Sequence, residues 1–461
     1  MKDSNLLIQG RNHTFEGHYD SSNQFLYLDT LTGLPNRESF LALLESKEQE
    51  AKNHLILSIG LSHTEVINAL RGPVVFDSVI TEAKNRIMNS LPPEVITARI
   101  GTNQFCVVAA YDHFIDAAAI VKVAKEIQEK LDNLFFVDGE EYYIASYIGA
   151  SIRNYHEYHE QPPLTELVHL SDLAVIARKN EIYRNVYLYD SSIKRSQETL
   201  HKLELALRSD VEDQKLLVMY QPIVNLSNQV ISLESLVRWH YGGEWIPPKD
   251  FIPIIEKLDL IKEMTLHVVK QAAKDWKMWK EKIPTLSYIS INISPHLFRH
   301  DEGTIILQPL MELLNQYGLS PKEICLEITK NVFIESSTHA FLKKCHDLGF
   351  ILAIDDFGTG YSSIGYLIKY PFDLLKMDQE FINRMEVDEK LRTIALSIVK
   401  LAQKLNIRVI AEGVETIKQL HILKEMGVHA VQGYYFSKPQ LLDKWDSGTF
   451  DERRNSFFKL H

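Results

Sequence analysis

Acidic and amide side chains recur along the second half of the chain, each in or just after a short apolar segment. They are Glu234, Asn292, Glu327, Asp355, Asp356, Asp378, Glu412, Glu415 and Gln432, with Lys376 among them. Their oxygen atoms suit Mg²⁺, Mn²⁺ or Ca²⁺ rather than zinc or copper. The adjacent Asp355 and Asp356 could bridge two ions, an arrangement that hydrolyses phosphodiesters, and Lys376 would add positive charge near a water or phosphate. Packing alone does not explain so many acids, because a buried charge is costly unless it is paired or bound to metal.

The segments that carry these residues predict a barrel of eight strands. Strands alternate with amphipathic helices, as is typical of a (β/α)₈ barrel, whose active site lies at the carboxyl ends of its strands. The predicted strands are Leu216–Val224, Val230–Trp239, Ser287–Ile293, Ile324–Thr329, Phe350–Asp355, Leu374–Met377, Arg408–Ala411 and Ala430–Tyr434. The predicted helices are Ile252–Lys280, Ile305–Tyr317, Ser337–Leu348, Ser362–Tyr370, Glu380–Leu405 and Ile417–Met426. Only Asn225–Gln229 joins the first two strands, which is too short for a parallel crossover, so the first strand should be antiparallel.

The motifs of this region follow a familiar order. They read YQPI at 220–223, ESLVRW at 234–239, FIPIIE at 251–256, INIS at 291–294, LEIT at 326–329, DDFGTGYSS at 355–363, LLKMD at 374–378, AEGVE at 411–415 and QGYYFSKP at 432–439. Over about residues 198–442 the chain resembles the EAL family of cyclic di-GMP phosphodiesterases, named for a Glu-Ala-Leu that reads Glu234-Ser235-Leu236 here. The resemblance implies a (β/α)₈ barrel with an antiparallel first strand, which linearises cyclic di-GMP to pGpG using two Mg²⁺ or Mn²⁺ ions.

The resemblance also implies roles for individual residues. The ligands of one ion would be Glu234, Asn292, Glu327 and Asp355, and those of the second ion Asp355, Asp356 and Glu412. Lys376 would orient the nucleophilic water, Glu412 would act as the base through that water, and Glu415 would support Glu412. The substrate-contacting positions would be Gln221, Leu236, Arg238, Asp378, Gln432 and Pro439. An arginine fork suits phosphate oxygens.

One position departs from the family pattern. The motif after the fourth strand usually ends in a second glutamate, whereas here it reads Glu327-Ile328-Thr329-Lys330. That glutamate anchors the loop that corresponds to residues 355–363. We hypothesise that Lys330 holds the loop less firmly and lowers turnover, because loss of such a supporting contact costs about 10–100-fold. Compensation by another residue is the alternative.

The first part of the chain predicts a smaller α/β sheet domain. The predicted strands are His54–Ile59, Thr97–Ile100, Gln104–Ala109 and Tyr142–Ile152, and the predicted helices are Glu38–Leu44, Phe76–Ser90, Phe114–Leu131 and Leu164–Lys179. Over about residues 25–190 the chain resembles GGDEF domains, the cyclic di-GMP synthases. The resemblance rests on DTLTGLPNR at 29–37, on Asp172 and on Arg184-Asn185.

The catalytic motif of that second family is degenerate here. It reads Gly101-Thr102-Asn103-Gln104, so amides replace both carboxylates, and the other metal-aspartate position is Gly60. Amides keep the shape of the acids but lose the charge that holds GTP and Mg²⁺. We therefore expect no cyclase activity, which leaves regulation, dimerisation or recruitment of a protein partner. Residual nucleotide binding stays open.

Composition bounds the class of protein. The 461 residues carry 50 Lys and Arg against 61 Asp and Glu, a net charge of −11, which argues against a duplex-DNA binder. Three separated cysteines favour a reducing compartment, and without a signal peptide or membrane span we expect a cytoplasmic protein. The expected organisation is an arm (1–24), the GGDEF-like domain (25–190), a connecting helix (191–208), the barrel (209–445) and a tail (446–461).

Three functions are compatible with these patterns. The first is a cyclic di-GMP phosphodiesterase, favoured by the nearly complete set of metal ligands. The second is a cyclic di-GMP receptor with little turnover, favoured by Lys330 and the degenerate partner domain. The third, an adaptor for RNA turnover, would need a basic surface that the composition does not indicate. The family resemblance further implies a homodimer.

Overall fold

The computed structural model describes residues 27–155, 162–178, 186–297, 303–329, 336–358 and 364–444. The chain divides into two compact units, Met1–His201 and Lys202–His461. Several predicted features lie outside the described residues: the arm at 1–24, the tail at 446–461, Lys330 and Arg184-Asn185.

The first unit is a five-stranded sheet with helices on both faces, which confirms the predicted α/β class. Its strands are β1 (Asn53–Leu61), β2 (Ile96–Gly101), β3 (Gln104–Tyr111), β6 (Ser146–Arg153) and β7 (Val186–Leu188), and β4 (Phe135–Val137) and β5 (Glu140–Tyr142) form a separate hairpin. Its helices are α1 (Arg37–Ser46), α2 (Thr64–Arg71), α3 (Pro73–Met88), α4 (Ala117–Leu131) and α5 (Leu164–Arg178), followed by α6 (Ser191–Glu212). The central strand β1 is antiparallel to both β3 and β6. Its side chains alternate, so that Leu55 and Leu57 pack in one core and Ile56 packs in the other.

Two predictions for this unit are wrong in detail. The predicted strand Tyr142–Ile152 is two elements, β5 and β6. Asp138 and Gly139 both have positive φ (52° and 80°), so they form a tight turn that folds β5 back on β4. The predicted helix Phe76–Ser90 corresponds to α3, but α2 precedes it, and Gly72 at φ 84° separates the two helices.

The second unit is a closed barrel of eight strands, as predicted. The barrel strands are β8 (Leu217–Asn225), β9 (Val230–Tyr241), β11 (Tyr288–Ile293), β12 (Ile324–Thr329), β13 (Ile351–Phe357), β14 (Leu374–Met377), β15 (Arg408–Ala411) and β16 (Ala430–Val431), and β10 (Glu244–Ile246) pairs outside the barrel with β9. The helices are α7 (Pro248–Lys257), α8 (Ile261–Lys282), α9 (Gly303–Tyr317), α10 (Ser336–Leu348), α11 (Ile364–Lys369), α12 (Gln379–Arg384), α13 (Glu389–Lys404) and α14 (Ile417–Met426).

The antiparallel first strand is confirmed. Strand β8 is antiparallel to both of its neighbours, β9 and β16, whereas the other neighbouring barrel strands are parallel. The side chain of Asn225 accepts hydrogen bonds from the backbone N–H groups of Ser227 and Gln229 (3.0 and 2.9 Å). These bonds close a tight turn between β8 and β9, as asparagine side chains commonly do.

Two long predicted helices are each divided, and the last strand is shorter than predicted. Helix Ile252–Lys280 is interrupted at Asp259, which has φ 57°, and so becomes α7 and α8. Helix Glu380–Leu405 becomes α12 and α13, because the Asp388 side chain caps a new N-terminus by accepting from Lys390 N at 3.0 Å. Strand β16 ends at Val431 instead of residue 434. Soon after it, Gly433 lies so close to the backbone of Val414 that a Cβ atom would lie 2.1 Å from the Val414 carbonyl oxygen.

No helix within the described ranges is long and apolar enough to cross a membrane. The longest, α6 and α8, have 22 residues each and carry many charged side chains.

Candidate active site

The barrel interior is layered, with an apolar layer below a polar one. The apolar layer consists of Ile223, Tyr288, Cys325, Ala353, Leu374, Ile410 and Ala430. Two residues further along the parallel strands, on the same face, stand Glu327, Asp355, Lys376 and Glu412, and Gln432 follows Ala430 in the same way. On antiparallel β8 the order is reversed, so Gln221 precedes Ile223. Strand periodicity therefore gathers the predicted residues at the carboxyl end of the barrel.

Lys376 lies at the centre of the polar layer. Its side chain is 1% exposed, and its Nζ atom is 2.6 Å from Glu327 Oε2, 2.6 Å from Glu412 Oε1, 3.4 Å from Glu234 Oε2 and 3.7 Å from Asp355 Oδ1. Burial alone lowers the pKa of a lysine, but the four carboxylates outweigh it and hold the pKa well above its usual value. Lys376 is therefore a permanent cation at the centre of an acidic ring.

Glu234 is held by two amides as well as by the lysine. Asn292 Nδ2 donates to Glu234 Oε1 at 2.9 Å, and Gln432 Nε2 donates to Glu234 Oε2 at 2.6 Å. Burial raises the pKa of Glu234, but the Lys376 charge and these amide donors outweigh burial, so that its pKa lies below the usual value. Gln432 also donates to Gln221 Oε1 at 3.1 Å, which joins four predicted residues, Asn292, Glu234, Gln432 and Gln221, in one network.

Glu327 is the most buried acid of the ring, at 1% exposure. Its Oε2 atom accepts from Lys376, while its Oε1 atom has no hydrogen-bond partner among the described residues. Burial raises the pKa of Glu327 to about 8, although Lys376 opposes the shift. A buried carboxylate oxygen without a partner is costly, so this site favours an additional cation.

Asp355 and Asp356 reach the same site although they are consecutive. Neighbouring strand residues normally point to opposite faces. Here the β13–β14 register shifts between Ile354 and Phe357, and Asp356 adopts a left-handed φ of 53°. Such a bulge redirects a side chain, and oxygen atoms of Asp355, Asp356 and Glu412 consequently lie within 4.8 Å of one another. Burial and the neighbouring Asp355 and Asp378 charges raise the pKa of Asp356 to about 6.

The donor set of the ring fits divalent cations. Glu234, Glu327, Asp355, Asp356 and Glu412 supply five carboxyl groups, against the single ammonium of Lys376. All available donor atoms are oxygen, the ligand type that Mg²⁺, Mn²⁺ and Ca²⁺ prefer.

The other predicted residues lie at the edge of this ring. Arg238 is half-buried, donates to the Val237 carbonyl at 2.8 Å and has its pKa lowered by burial. Both Leu236 and Arg238 line a cavity of about 450 Å³ beside β9 and α7. Pro439 is half-buried and precedes Gln440, whose backbone pairs with Tyr220 of β8.

Two predicted residues remain, of which Asp378 lies beside the ring, where its charge raises the pKa of Asp356. Asp378 caps α12, because its Oδ1 atom accepts from Glu380 N at 2.7 Å. Glu415 is exposed, and no hydrogen bond or ion pair of its carboxylate is present among the described residues. Its role in supporting Glu412 therefore stays a prediction.

Comparison with known proteins assigns this barrel to a family. Residues 204–439 match the EAL domain profile. The chain belongs to the EAL domain family. Residues 26–184 match the profile of the diguanylate cyclase GGDEF domain, so the two domains occur in tandem, as the motifs predict.

Curated relatives align with most of this chain and are themselves longer. Two are named cyclic di-GMP phosphodiesterases: NbdA of Pseudomonas aeruginosa is 29% identical over 94% of this chain and 55% of its own length, and PdeR of Escherichia coli is 29% identical over 89% and 61%. The oxygen sensor protein DosP of E. coli is 26% identical over 90% of this chain and 51% of its own length. The chain thus spans roughly half to three fifths of the length of these relatives. The solved structure of the EAL enzyme Bd1971 with cAMP and cyclic di-GMP covers 86% of this chain and 94% of its own, with TM-score 0.51 and 22% identity, and shows a shared fold.

The degenerate positions of the GGDEF domain are tied into its interior. Asn103 Nδ2 donates to the Leu61 carbonyl at 2.9 Å and to Thr64 Oγ1 at 3.1 Å. Gln104 Nε2 donates to Asp172 Oδ1 at 2.7 Å and to Ser58 Oγ at 3.0 Å.

The other degenerate positions are Gly60 in β1, Gly101 at the end of β2 and Thr102 in the short connection to β3. Gly60 pairs with Gln104 across β1 and β3, and Gly101 ends β2. The Thr102 carbonyl accepts from Arg99 Nη2 at 2.6 Å. Arg99 also contacts both carboxylate oxygens of Asp29 (3.1 and 3.0 Å), so the motif at 29–37 and the degenerate motif are joined through Arg99.

The motif analysis missed three polar residues beside the EAL ring. Ser294 Oγ donates to Glu256 Oε1 at 2.6 Å, and His296 Nε2 is 3.4 Å from Glu256 Oε2. Glu256 ends the motif FIPIIE. A charged residue directly after an apolar run is the sequence signal that could have identified it.

Proposed function

We propose that this protein is a cyclic di-GMP phosphodiesterase that hydrolyses its substrate to pGpG. The observation that carries the proposal is the position of Lys376, within 4.0 Å of carboxylates from three strands of an EAL barrel and of Glu412, which directly follows a fourth strand. The two relatives named as cyclic di-GMP phosphodiesterases support the choice of substrate.

The polar layer would hold two Mg²⁺ or Mn²⁺ ions. Glu234, Asn292, Glu327 and Asp355 would bind one of them, and Asp355, Asp356 and Glu412 the other. When bound, the ions would lower the pKa of a coordinated water to near neutrality. They would also offset the negative charge on the phosphoryl oxygens.

Side chains of the protein would orient the water, accept its proton and bind the phosphate. The Lys376 ammonium would donate to the attacking water and orient it, and Glu412 would accept the proton of that water. Water oxygen bonds to phosphorus, the bond from phosphorus to the 3′ oxygen breaks, and that oxygen takes a proton. The Arg238 guanidinium would donate two parallel hydrogen bonds to phosphate oxygens. Gln221 and Gln432 would fix the adjoining wall of the site through their mutual hydrogen bond.

The GGDEF domain would contribute no synthase activity and would act as a regulatory or partner-binding domain. The amides Asn103 and Gln104 lack the negative charge that holds GTP and Mg²⁺ in a synthase. Both amides also donate hydrogen bonds inside the domain. Incubation with GTP and Mg²⁺ should therefore yield no cyclic di-GMP.

The Lys330 substitution belongs to this proposal as a modifier of the rate. Lys330 lies outside the described residues, so the hypothesis rests on the sequence alone. The variant Lys330→Glu should turn over faster than the natural chain at equal Mn²⁺. An unchanged rate would contradict this part of the proposal.

One experiment separates hydrolysis from binding alone. Purified protein is incubated with cyclic di-GMP and Mn²⁺ or Mg²⁺, and the products are resolved by chromatography. Formation of pGpG that disappears in Glu234→Ala supports the enzyme, whereas tight binding without product supports a receptor. Calcium should inhibit, because its longer and looser coordination fits a two-ion site poorly. The elution volume in the same preparation tests the expected homodimer.

A further inference from the structure

A carboxylate of α7 clamps the carboxyl end of β11. Glu256 Oε1 accepts from Ser294 Oγ at 2.6 Å, and Glu256 Oε2 lies 3.4 Å from His296 Nε2. Ser294 Oγ accepts in turn from the backbone N–H of His296 at 3.2 Å. One carboxylate thus contacts two residues, Ser294 and His296, of the turn immediately after β11.

This turn directly follows the strand that carries Asn292. Asn292 donates to Glu234 Oε1 at 2.9 Å, yet Asn292 itself is exposed, so packing does not fix its direction. Residues two apart along a strand share a face, and Asn292, Ser294 and Glu256 all line the same 450 Å³ cavity. The direction of Asn292 therefore depends on how firmly the end of β11 is held.

The clamp is anchored on a well-packed helix. Phe251, Ile254 and Ile255 of α7 are buried in the barrel unit, and Lys257 pairs with Glu204 at 2.5 Å. Both oxygens of Glu256 are occupied by the β11 turn, which separates this residue from the acids of the ring.

We propose that Glu256 is a positioning residue that holds the end of β11 so that Asn292 completes the first metal site. The proposal rests on the proposed function, because it assumes that the ring binds metal ions. Supporting residues of this kind change metal affinity by about 10–100-fold when they are removed. Glu256→Ala should therefore weaken Mn²⁺ binding by about tenfold, with most of the maximal rate recovered at saturating Mn²⁺.

Three further variants distinguish this role from general destabilisation. Glu256→Gln keeps an acceptor for Ser294 and should recover most of the affinity. Ser294→Ala removes the other end of the same hydrogen bond and should reproduce the Mn²⁺ defect of Glu256→Ala. Glu263→Ala is the matched control, since Glu263 is an exposed glutamate of α8 without a hydrogen bond or ion pair in the described part of the chain. It should bind Mn²⁺ like the natural chain.

The test measures Mn²⁺ binding to the full chain by the electron paramagnetic resonance signal of free Mn²⁺, without substrate. If Glu256 acts through Asn292, adding Glu256→Ala to Asn292→Ala should not weaken Mn²⁺ binding further. An additive loss, or natural affinity in both Glu256→Ala and Ser294→Ala, would overturn the proposal.

Hydrolysis is scored separately as pGpG formation. A natural chain that binds Mn²⁺ but forms no pGpG would refute the phosphodiesterase function, while the Mn²⁺ comparison still decides the role of Glu256. A natural chain that binds no Mn²⁺ would overturn the inference about Glu256 as well.

Discussion

Removing the ammonium at the centre of the ring is the most direct test of the site. Lys376 is the single cation within 4.0 Å of Glu234, Glu327, Asp355 and Glu412 in the described part of the chain. Lys376→Met leaves these four acids close together without their shared partner. Breaking a buried ion pair by removing one partner costs about 3–5 kcal/mol. We expect a loss of that size in the free energy of unfolding at pH 8 with chelator present.

The same variant should show a defined dependence on pH. A carboxyl group whose pKa is raised in the folded state stabilises the fold at low pH, and this stability is lost as the pH rises through the folded-state pKa. The pKa of Glu327 is already about 8 in the natural chain, and loss of Lys376 should raise the pKa values of the ring acids further. The destabilisation should therefore be smaller at pH 5.5 than at pH 8.

The assay is urea unfolding of the full chain at both pH values, with chelator and again with Mn²⁺. If the variant still binds the ions, Mn²⁺ at 100 times its dissociation constant should raise the free energy of unfolding by about 2.7 kcal/mol. Lys343→Met is the control, because Lys343 is exposed on α10 and makes no ion pair among the described residues. A Lys376→Met variant within about 0.5 kcal/mol of the natural chain at pH 8 without metal would refute the reasoning.

Three further predictions concern both domains. Gln104→Glu should destabilise the chain by about 1–3 kcal/mol in urea, because a carboxylate replaces the amide that donates to Asp172. It should still form no cyclic di-GMP from GTP, and synthase activity in this variant would count against the argument. Burial lowers the pKa of His54 below its unfolded value, so the unfolded state takes up its proton first and stability should fall as the pH drops from 7.5 to 5.5. His54→Leu should remove this part of the fall in urea titrations at both pH values, and an identical fall in the variant would contradict it. Arg238→Lys should raise KM for cyclic di-GMP about tenfold through loss of the guanidinium fork, with Mn²⁺ affinity unchanged, and an unaltered KM would exclude a phosphate contact.

Local sequence patterns determine much of the active site. Lys376 follows Leu374, and Glu412 follows Ile410, two residues along their strands, so the polar layer can be read from a simple alternation. The antiparallel first strand likewise follows from the short Asn225–Gln229 connection. These features depend on neighbouring residues, and local geometry is sufficient to predict them.

Other features of the same region were not available from the pattern. The helix Ile252–Lys280 was predicted without the left-handed Asp259 that divides it. Single residues with positive φ interrupt an element without altering its hydrophobic pattern, and asparagine and aspartate adopt that conformation at modest cost.

The sequence by itself determined which residue types meet at the carboxyl end of the barrel and which charges the GGDEF motif has lost. Only the tertiary structure decided how they are used. It places one ammonium among four carboxylates, redirects Asp356 by a bulge beside Asp355, and turns Gln104 inward to Asp172. The physical reason is that strand periodicity sets the direction of a side chain locally, whereas distances between side chains depend on the closure and register of strands far apart in the chain.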